Sequence, residues 1–134
     1  MSKSLIQVAN QSTQTVAPNS IISLGSVQRR FGCNCRLSGN AIEISGEGYY
    51  EVEAAVSLAP TATGDVAVAL FENGVQIPGA IAYATVAAAG DSVTLPLVAT
   101  IRQGCCCDSA DNLTCVLVEG ASTVRNVSLR VVKS

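Results

Sequence analysis

Apolar and polar side chains alternate along much of this chain, and the alternation is clearest over residues 48–58. One parity is apolar and the other is largely polar: Tyr50, Val52, Ala54, Val56 and Leu58 against Tyr49, Glu51, Glu53 and Ser57. Because successive side chains point to opposite faces of a strand, this pattern predicts a long strand with one buried face. A second strand with Val66, Val68 and Leu70 on one face follows, and Asn73-Gly74 ends it with the strongest short-range signal for a hairpin.

Further strands are predicted on both sides of this pair, while residues 11–15 read as a polar turn and residues 32–35 as a loop. Pro96 has no backbone N–H, so it predicts an edge position or a bulge. Turn residues recur about every ten positions, which is typical of a sandwich or barrel. The other predicted strands cover residues 5–9, 21–24, 27–31, 41–44, 79–89, 92–102, 113–119 and 124–132.

The length of 134 residues predicts one domain over residues 1–134, with residues 1–20 as an N-terminal strand or arm leading into it. Hydrophobic residues make up 49% and charged residues 13%, about half the usual charged share. Abundant Ser, Thr, Asn and Gln can cover such a surface. Alternatively, part of the surface lies in a subunit interface, where charge is depleted. The small Ala and Val residues of the apolar faces favour the interface.

The net charge of −2 provides no basic patch, which argues against nucleic acid as a partner. No stretch approaches the roughly 20 apolar residues that span a bilayer, so we expect no membrane partner. The first residues lack the apolar run of a signal peptide. We therefore expect synthesis in the cytoplasm, which is compatible with assembly on a particle released by lysis.

Most catalytic arrangements are excluded because the chain contains no His, which rules out Ser-His-Asp and Cys-His sites. Glu51 and Glu53 would lie about 7 Å apart on one strand face, a spacing that can suit acid–base chemistry. Solvation of a polar strand face explains them equally well. Gly46-Glu-Gly48 opens a strand, so it cannot cradle a phosphate at a helix start. We expect neither an enzyme nor a cofactor.

Six cysteines occupy two clusters and one strand: Cys33, Cys35, Cys105, Cys106, Cys107 and Cys115. Neither cluster has the usual spacing of paired zinc ligands, so a metal site formed by the first five is only a weak candidate. All six are candidates for disulfides, which need oxidising conditions. Free cysteines also pack in cores as small apolar residues. These three explanations stay open.

Three motifs occur in a familiar order. They are Gly-Tyr-Tyr-Glu-Val at 48–52, Leu-Phe-Glu-Asn-Gly-Val-Gln-Ile-Pro-Gly at 70–79 and Ala-Gly-Asp-Ser-Val-Thr-Leu at 89–95. Together they resemble the C1q/tumour-necrosis-factor-like jelly roll, particularly the bacterial and phage branch that includes the C-terminal domain of BclA. The resemblance runs from about residue 21 to residue 132. The cysteine clusters and the lack of a collagen-like stem depart from the family, so we do not expect receptor binding.

The resemblance implies an all-β jelly-roll sandwich of two antiparallel sheets that forms homotrimers. In such a trimer Tyr49, Val98 and Arg102 are the candidate interface residues. We expect a phage virion accessory, such as a capsid decoration, head fibre or tail module, whose partners are itself and other virion or surface-layer proteins. A spore-surface structural protein and a carbohydrate- or ligand-binding module are the alternatives.

Overall fold

A computed structural model describes residues 4–32, 34–103 and 111–133. Within these ranges there is no helix, and therefore none long and apolar enough to cross a membrane. The strands are β1 (Leu5–Asn10), β2 (Gln14–Val16), β3 (Ser20–Ile21), β4 (Ser26–Phe31), β5 (Cys35–Ser38), β6 (Ala41–Ile44), β7 (Gly48–Pro60), β8 (Gly64–Glu72), β9 (Val75–Val86), β10 (Val93–Gln103), β11 (Asp111–Glu119) and β12 (Ser122–Lys133).

The strands form two sheets whose pairings are all antiparallel. Sheet A has the order β10-β7-β12-β1-β4, with β2 also paired to β12. Sheet B has the order β5-β6-β11-β8-β9, with β3 also paired to β11. This arrangement confirms the predicted all-β sandwich of two antiparallel sheets. The first strand, β1, lies inside sheet A between β12 and β4.

The alternation over β7 corresponds to burial, as predicted. Tyr50, Val56 and Leu58 are fully buried, whereas Tyr49 on the opposite parity is 55% exposed. Their burial against the apolar face of sheet B contributes about 1.5–3 kcal/mol for each large side chain. The core between the sheets continues through every long strand: it includes Ile6, Val8, Ile42, Ile44, Val66, Val68, Leu70, Leu95, Leu97, Ile101, Leu113, Leu117, Val127, Leu129 and Val131.

Two features of the long strands follow from local chemistry. Pro96 lies on β10, opposite Ala55 of β7. β10 is the edge strand of sheet A, the kind of strand in which Pro is tolerated, which confirms the edge prediction. At the β8–β9 hairpin, Asn73 and Gly74 have φ values of 53° and 83°, as the predicted tight turn requires.

The structure corrects several predicted boundaries. Residues 14–16 form β2 where a polar turn was predicted, and β5 begins at Cys35 in the predicted loop. Both strands are short. β2 forms by pairing with β12 and β5 by pairing with β6, and the local sequence of β2 and β5 does not reveal these partners. The strand predicted at 21–24 is reduced to β3, although Ile22 and Leu24 are fully buried.

The second strand of the hairpin also differs from its prediction. It was expected to begin at Gly79, but β9 runs without interruption from Val75. The β8–β9 register shifts between Ala69 and Phe71, which face Ile81 and Gln76 respectively. A bulge therefore accommodates Pro78-Gly79 inside the strand, where the sequence pattern suggested a break.

Gly25 is a position where the backbone requires glycine. Its φ is +77°, and a Cβ there would lie 2.3 Å from the carbonyl oxygen of Ala9 and 2.9 Å from Cα of Asn10. Gly79 has a similar φ of +83°, but no atom lies within 4 Å of a Cβ built there. A side chain at Gly25 would meet both backbone strain and a steric clash, whereas a side chain at Gly79 would meet backbone strain alone.

We expect Gly25→Ala to destabilise the fold by about 3 kcal/mol or more, because strain and a backbone clash add together. Gly79→Ala, the matched control, meets only the left-handed backbone strain of about 1–2 kcal/mol. Urea denaturation of both variants measures the two free energies of unfolding. Equal losses in the two variants would show that the close approach to Ala9 does not matter.

Candidate self-association surface

The outer face of sheet A is the face turned away from the core. The register between strands arranges its side chains in rows that cross the sheet from β10 to β4. From β10 to β4, three successive rows are Thr100–Glu51–Val132–Leu5–Phe31, Val98–Glu53–Arg130–Gln7–Arg29 and Pro96–Ala55–Ser128–Ala9–Ser26. The middle of the third row consists of small side chains, so no large side chain protrudes from this part of the face.

Exposed apolar side chains are concentrated on this face. Val98 is 66% exposed, Phe31 65% and Tyr49 55%, and these are three of the seven large apolar residues that are exposed in the described ranges. Val98 and Tyr49 lie toward the β10 edge and Phe31 lies on β4 at the opposite edge, and exposed apolar side chains of this kind are typical of interaction surfaces. The face therefore has the composition of a site that another protein surface can cover.

All three residues predicted for a trimer interface lie on this face. Tyr49 and Arg102 face each other across β7 and β10, and Val98 faces Glu53. Their participation in an interface stays a prediction. Sequence analysis did not include Phe31, which joins the same face because β4 pairs with β1 and places Phe31 opposite Leu5. The prediction of a short strand over residues 27–31 was the available signal, but it does not show which strand is the neighbour.

The two carboxylates considered for acid–base chemistry differ in their surroundings. Glu53 forms an ion pair with Arg130 on the neighbouring strand β12. Glu51 is exposed and faces Thr100 and Val132, neither of which is charged. Both carboxylates line an open depression of about 310 Å³ beside Val98. This arrangement matches a solvated polar strand face.

Two cysteines can be placed in the fold. Cys35 and Cys115 are buried free thiols within the core cluster. Burial raises the pKa of Cys35 to about 11, against the opposing influence of Arg30 and Lys133, and raises that of Cys115 to about 12. The packed-thiol explanation describes these two positions. The remaining candidates, for disulfides or metal, lie outside the described residues: Cys33, Cys105, Cys106 and Cys107.

The two segments that contain the cysteine clusters are residues 33–35 and 105–107. The described residues that flank these segments lie around Ile44. Cys35 on β5 and Asp111 on β11 flank Ile44 on its two sides. From sheet A, the side-chain amide of Gln103 donates to the Ile44 carbonyl oxygen over 3.1 Å. The sequence left open whether the two cysteine clusters belong to the same end of the sandwich. Their described flanks do lie together. Among the described residues no group of three His, Cys, Asp or Glu side chains could hold a metal ion.

A polar network fixes the same end of the sandwich. The Tyr50 hydroxyl lies 2.8 Å from the carbonyl oxygens of both Ser45 and Gly46. Burial raises the pKa of Tyr50 to about 12, so the hydroxyl keeps its proton and donates. Asn34 donates to the Ser45 carbonyl over 2.9 Å, and Ser4 donates to the Asn34 side-chain oxygen over 2.6 Å. The residue after Cys33 is therefore held by hydrogen bonds.

A carboxyl pair lies where the β8–β9 hairpin meets the start of β11. Asn73 donates to the Asp111 carboxylate over 2.9 Å and accepts the backbone N–H of Asn112 over 2.9 Å. Burial, and then hydrogen bonding and repulsion from Asp111, raise the pKa of Glu72. The folded chain therefore favours the protonated form of Glu72 more than the unfolded chain does.

We expect Glu72→Gln to stabilise the fold at pH 7.5 by about 0.5 kcal/mol, the usual size for partly exposed charges. Because its pKa is raised on folding, Glu72 favours folding below its unfolded value near 4.3, and that contribution is lost as pH rises through the folded pKa. The gain from Gln should consequently vanish near pH 4. Urea denaturation at both pH values tests this, with Glu47→Gln on an exposed loop as the control. An unchanged or lower stability of Glu72→Gln at pH 7.5 would contradict the raised pKa of Glu72.

Comparison with known proteins found solved structures with the same fold but no protein with a similar sequence. No protein-family model and no curated protein sequence matches the chain. Among solved structures, murine APRIL has a TM-score of 0.76 at 10% identity, covering 99% of this chain and 100% of that chain. The globular domain of zebrafish complement 1qA has a TM-score of 0.71 at 10% identity and covers 94% of each chain. PRD1 vertex protein P5 has a TM-score of 0.60 at 12% identity, covering 97% of this chain and 96% of that chain.

This chain has the C1q/tumour-necrosis-factor-like jelly-roll fold. The predicted fold class is confirmed, whereas the bacterial and phage branch that includes BclA is not specifically supported by these structures. Because the identities lie at 10–12%, the likeness concerns the fold alone. The function has to be argued from the surface of this chain.

Proposed function

We propose that this chain is a non-enzymatic structural protein that forms a compact homotrimer through the outer face of sheet A. The observation that supports the proposal is the concentration of Val98, Phe31 and Tyr49 on that face, each more than half exposed. Covering such side chains removes apolar area from water, which is the main favourable term in protein association. The trimeric state is what the jelly-roll resemblance implies.

Fewer of the other exposed apolar residues share one face, which favours sheet A over sheet B. Val75 adjoins the hairpin turn, Ile21 lies on the two-residue strand β3, and Tyr83 lies on β9. Val27 shares β4 with Phe31, but the register shift between Gln7 and Val8 places it opposite Val8, on the other face of the sheet. No other strand group brings three such residues onto one broad face in the described ranges.

The biological setting we propose is the surface of a phage virion, where the trimer serves as a capsid decoration, head fibre or tail module. The support is the shared fold with the vertex protein P5 of PRD1, a phage structural protein. Quantitative mass spectrometry of purified virions provides the test. We expect this chain to remain with the particles through a density gradient, in multiples of three copies per attachment site. Recovery only in the soluble fraction, or in spore coats, would reject the virion assignment.

We expect light scattering of the wild-type chain to give three times the 13.7 kDa chain mass. Val98→Asp should dissociate the trimer, because it places a carboxylate in a contact that excludes water. Val75→Asp is the matched control, since Val75 is 69% exposed and lies beside the hairpin turn of sheet B.

Circular dichroism establishes that both variants are folded. A monomeric wild type at micromolar concentration would contradict the trimer itself. A trimer that persists in Val98→Asp would instead contradict the use of this face.

We also propose that Cys33 forms a disulfide with one of Cys105, Cys106 and Cys107 once the protein meets an oxidising environment. The support is the meeting of the described flanks of both segments at Ile44. Each crosslink joins two thiol sulfur atoms and passes two electrons and two protons to dioxygen. A link across so many residues is worth about 4 kcal/mol in the chain-entropy model.

Air-exposed protein should therefore show fewer than six free thiols in denaturant and should melt at a lower temperature after reduction. Thiol titration with a chromogenic reagent, with and without prior chelation, provides the count. Cys115→Ser is the control, because removing a buried free thiol should lower the count by one in both redox states. Six reactive thiols in oxidised protein would leave packed cysteines as the explanation.

A further inference from the structure

We infer that Glu51 of one copy forms an ion pair with Arg29 of the next copy, so that the trimer assembles head to tail. The inference rests on the proposed self-association through the outer face of sheet A. It adds the two charged groups that orient one copy against another. Both side chains are exposed, and both lie on that face.

Glu51 and Arg29 each lack an ion-pair partner among the described residues. The row neighbours of Glu51 are Thr100 and Val132. Arg29 lies on the edge strand β4, and its only row neighbour is Gln7. Glu53, by contrast, pairs with Arg130 on the adjacent strand. Glu51 and Arg29 therefore remain available for a partner in another copy.

The two groups cannot satisfy each other within one copy. Strands β12 and β1 separate β7 from β4, and three strand spacings amount to about 14 Å. This separation exceeds the Debye length of about 8 Å at physiological salt, so their attraction within a copy is largely screened. A contact with another copy can bring them within ion-pairing distance.

The charges divide the face into unlike halves. On the β7–β10 half, Glu51 lies near the exposed apolar side chains of Tyr49 and Val98. On the β4 half, Arg29 lies two residues from exposed Phe31. The β7–β10 half also carries Arg102, so it holds charges of both signs, whereas Arg29 is the outward-facing charge of β4. Among the described strands of sheet A, outward-facing carboxylates occur only on β7, as Glu51 and Glu53, and Glu53 is already paired with Arg130. The β4 edge of one copy can therefore find an unpaired carboxylate only on the β7 side of another copy, which favours a head-to-tail contact that can close into a ring.

Arg102 is the competing partner for Glu51. It faces Tyr49 on β10 and is therefore diagonal to Glu51 across the two strands, but it forms no ion pair there. If Glu51 paired with Arg102 in the assembled protein, a substitution of Arg29 would not affect assembly through Glu51. The choice between the two arginines can therefore be made by exchanging charges.

The experiment compares Glu51→Arg, Arg29→Glu and the double exchange in the full chain. Each single reversal places like charges in contact, and we expect it to raise the midpoint concentration of dissociation by about tenfold or more, as for close interfacial charge pairs. The double exchange restores opposite charges and should return the midpoint to near that of the wild type. Glu119→Arg is the control, because Glu119 is an exposed charge on β11 of sheet B.

Analytical ultracentrifugation measures the midpoints, and circular dichroism verifies folding of these surface variants. Loss of assembly in both single variants with recovery in the double exchange supports the pair. Weakening by Glu51→Arg without recovery in the double exchange overturns it and indicates Arg102 or another group. Unchanged trimers in both single variants overturn only the ion pair, whereas a monomeric wild type removes the proposed trimer as well.

Discussion

Burial of one face of β7 against sheet B is the constraint on which the rest of the structure depends. Tyr50, Val56 and Leu58 lose all contact with water, and each such side chain contributes about 1.5–3 kcal/mol. Because the side-chain period of a strand is two, a slip of one residue would turn this entire set outward. The registers of β10 and β12, which pair along both sides of β7, are fixed by the same requirement.

The chemistry of the outer face follows from that requirement. Once the apolar parity of β7 points inward, Glu51 and Glu53 must point outward, and the register decides what each one meets. Glu53 meets Arg130, whereas Glu51 meets uncharged neighbours. The two carboxylates look equivalent in the sequence but differ in their partners. Glu53 forms an ion pair within the chain, and Glu51 is available for a contact with a second copy.

The cysteines divide in a similar way. Cys35 and Cys115 have inward parity, and their raised pKa values make them poor nucleophiles inside the core. The described flanks of the other cysteine-bearing segments converge on Ile44, because β6 lies between β5 and β11 and Gln103 reaches it from the opposite sheet. The core thus uses Cys35 and Cys115, and the proposed disulfide uses other cysteines of the chain.

Local sequence determined the features that depend on neighbouring residues. Alternation predicted β7, β8, β10 and β12, Asn73-Gly74 predicted the hairpin, and Pro96 predicted an edge, because parity, positive φ and a missing donor are properties of a few adjacent residues. Short strands such as β2 and β5 exist only through pairing with distant partners. The same is true of Phe31 on the outer face and of the junction at Ile44. Only the tertiary structure decided these features, because the order of strands in a sheet is set by how the whole core closes.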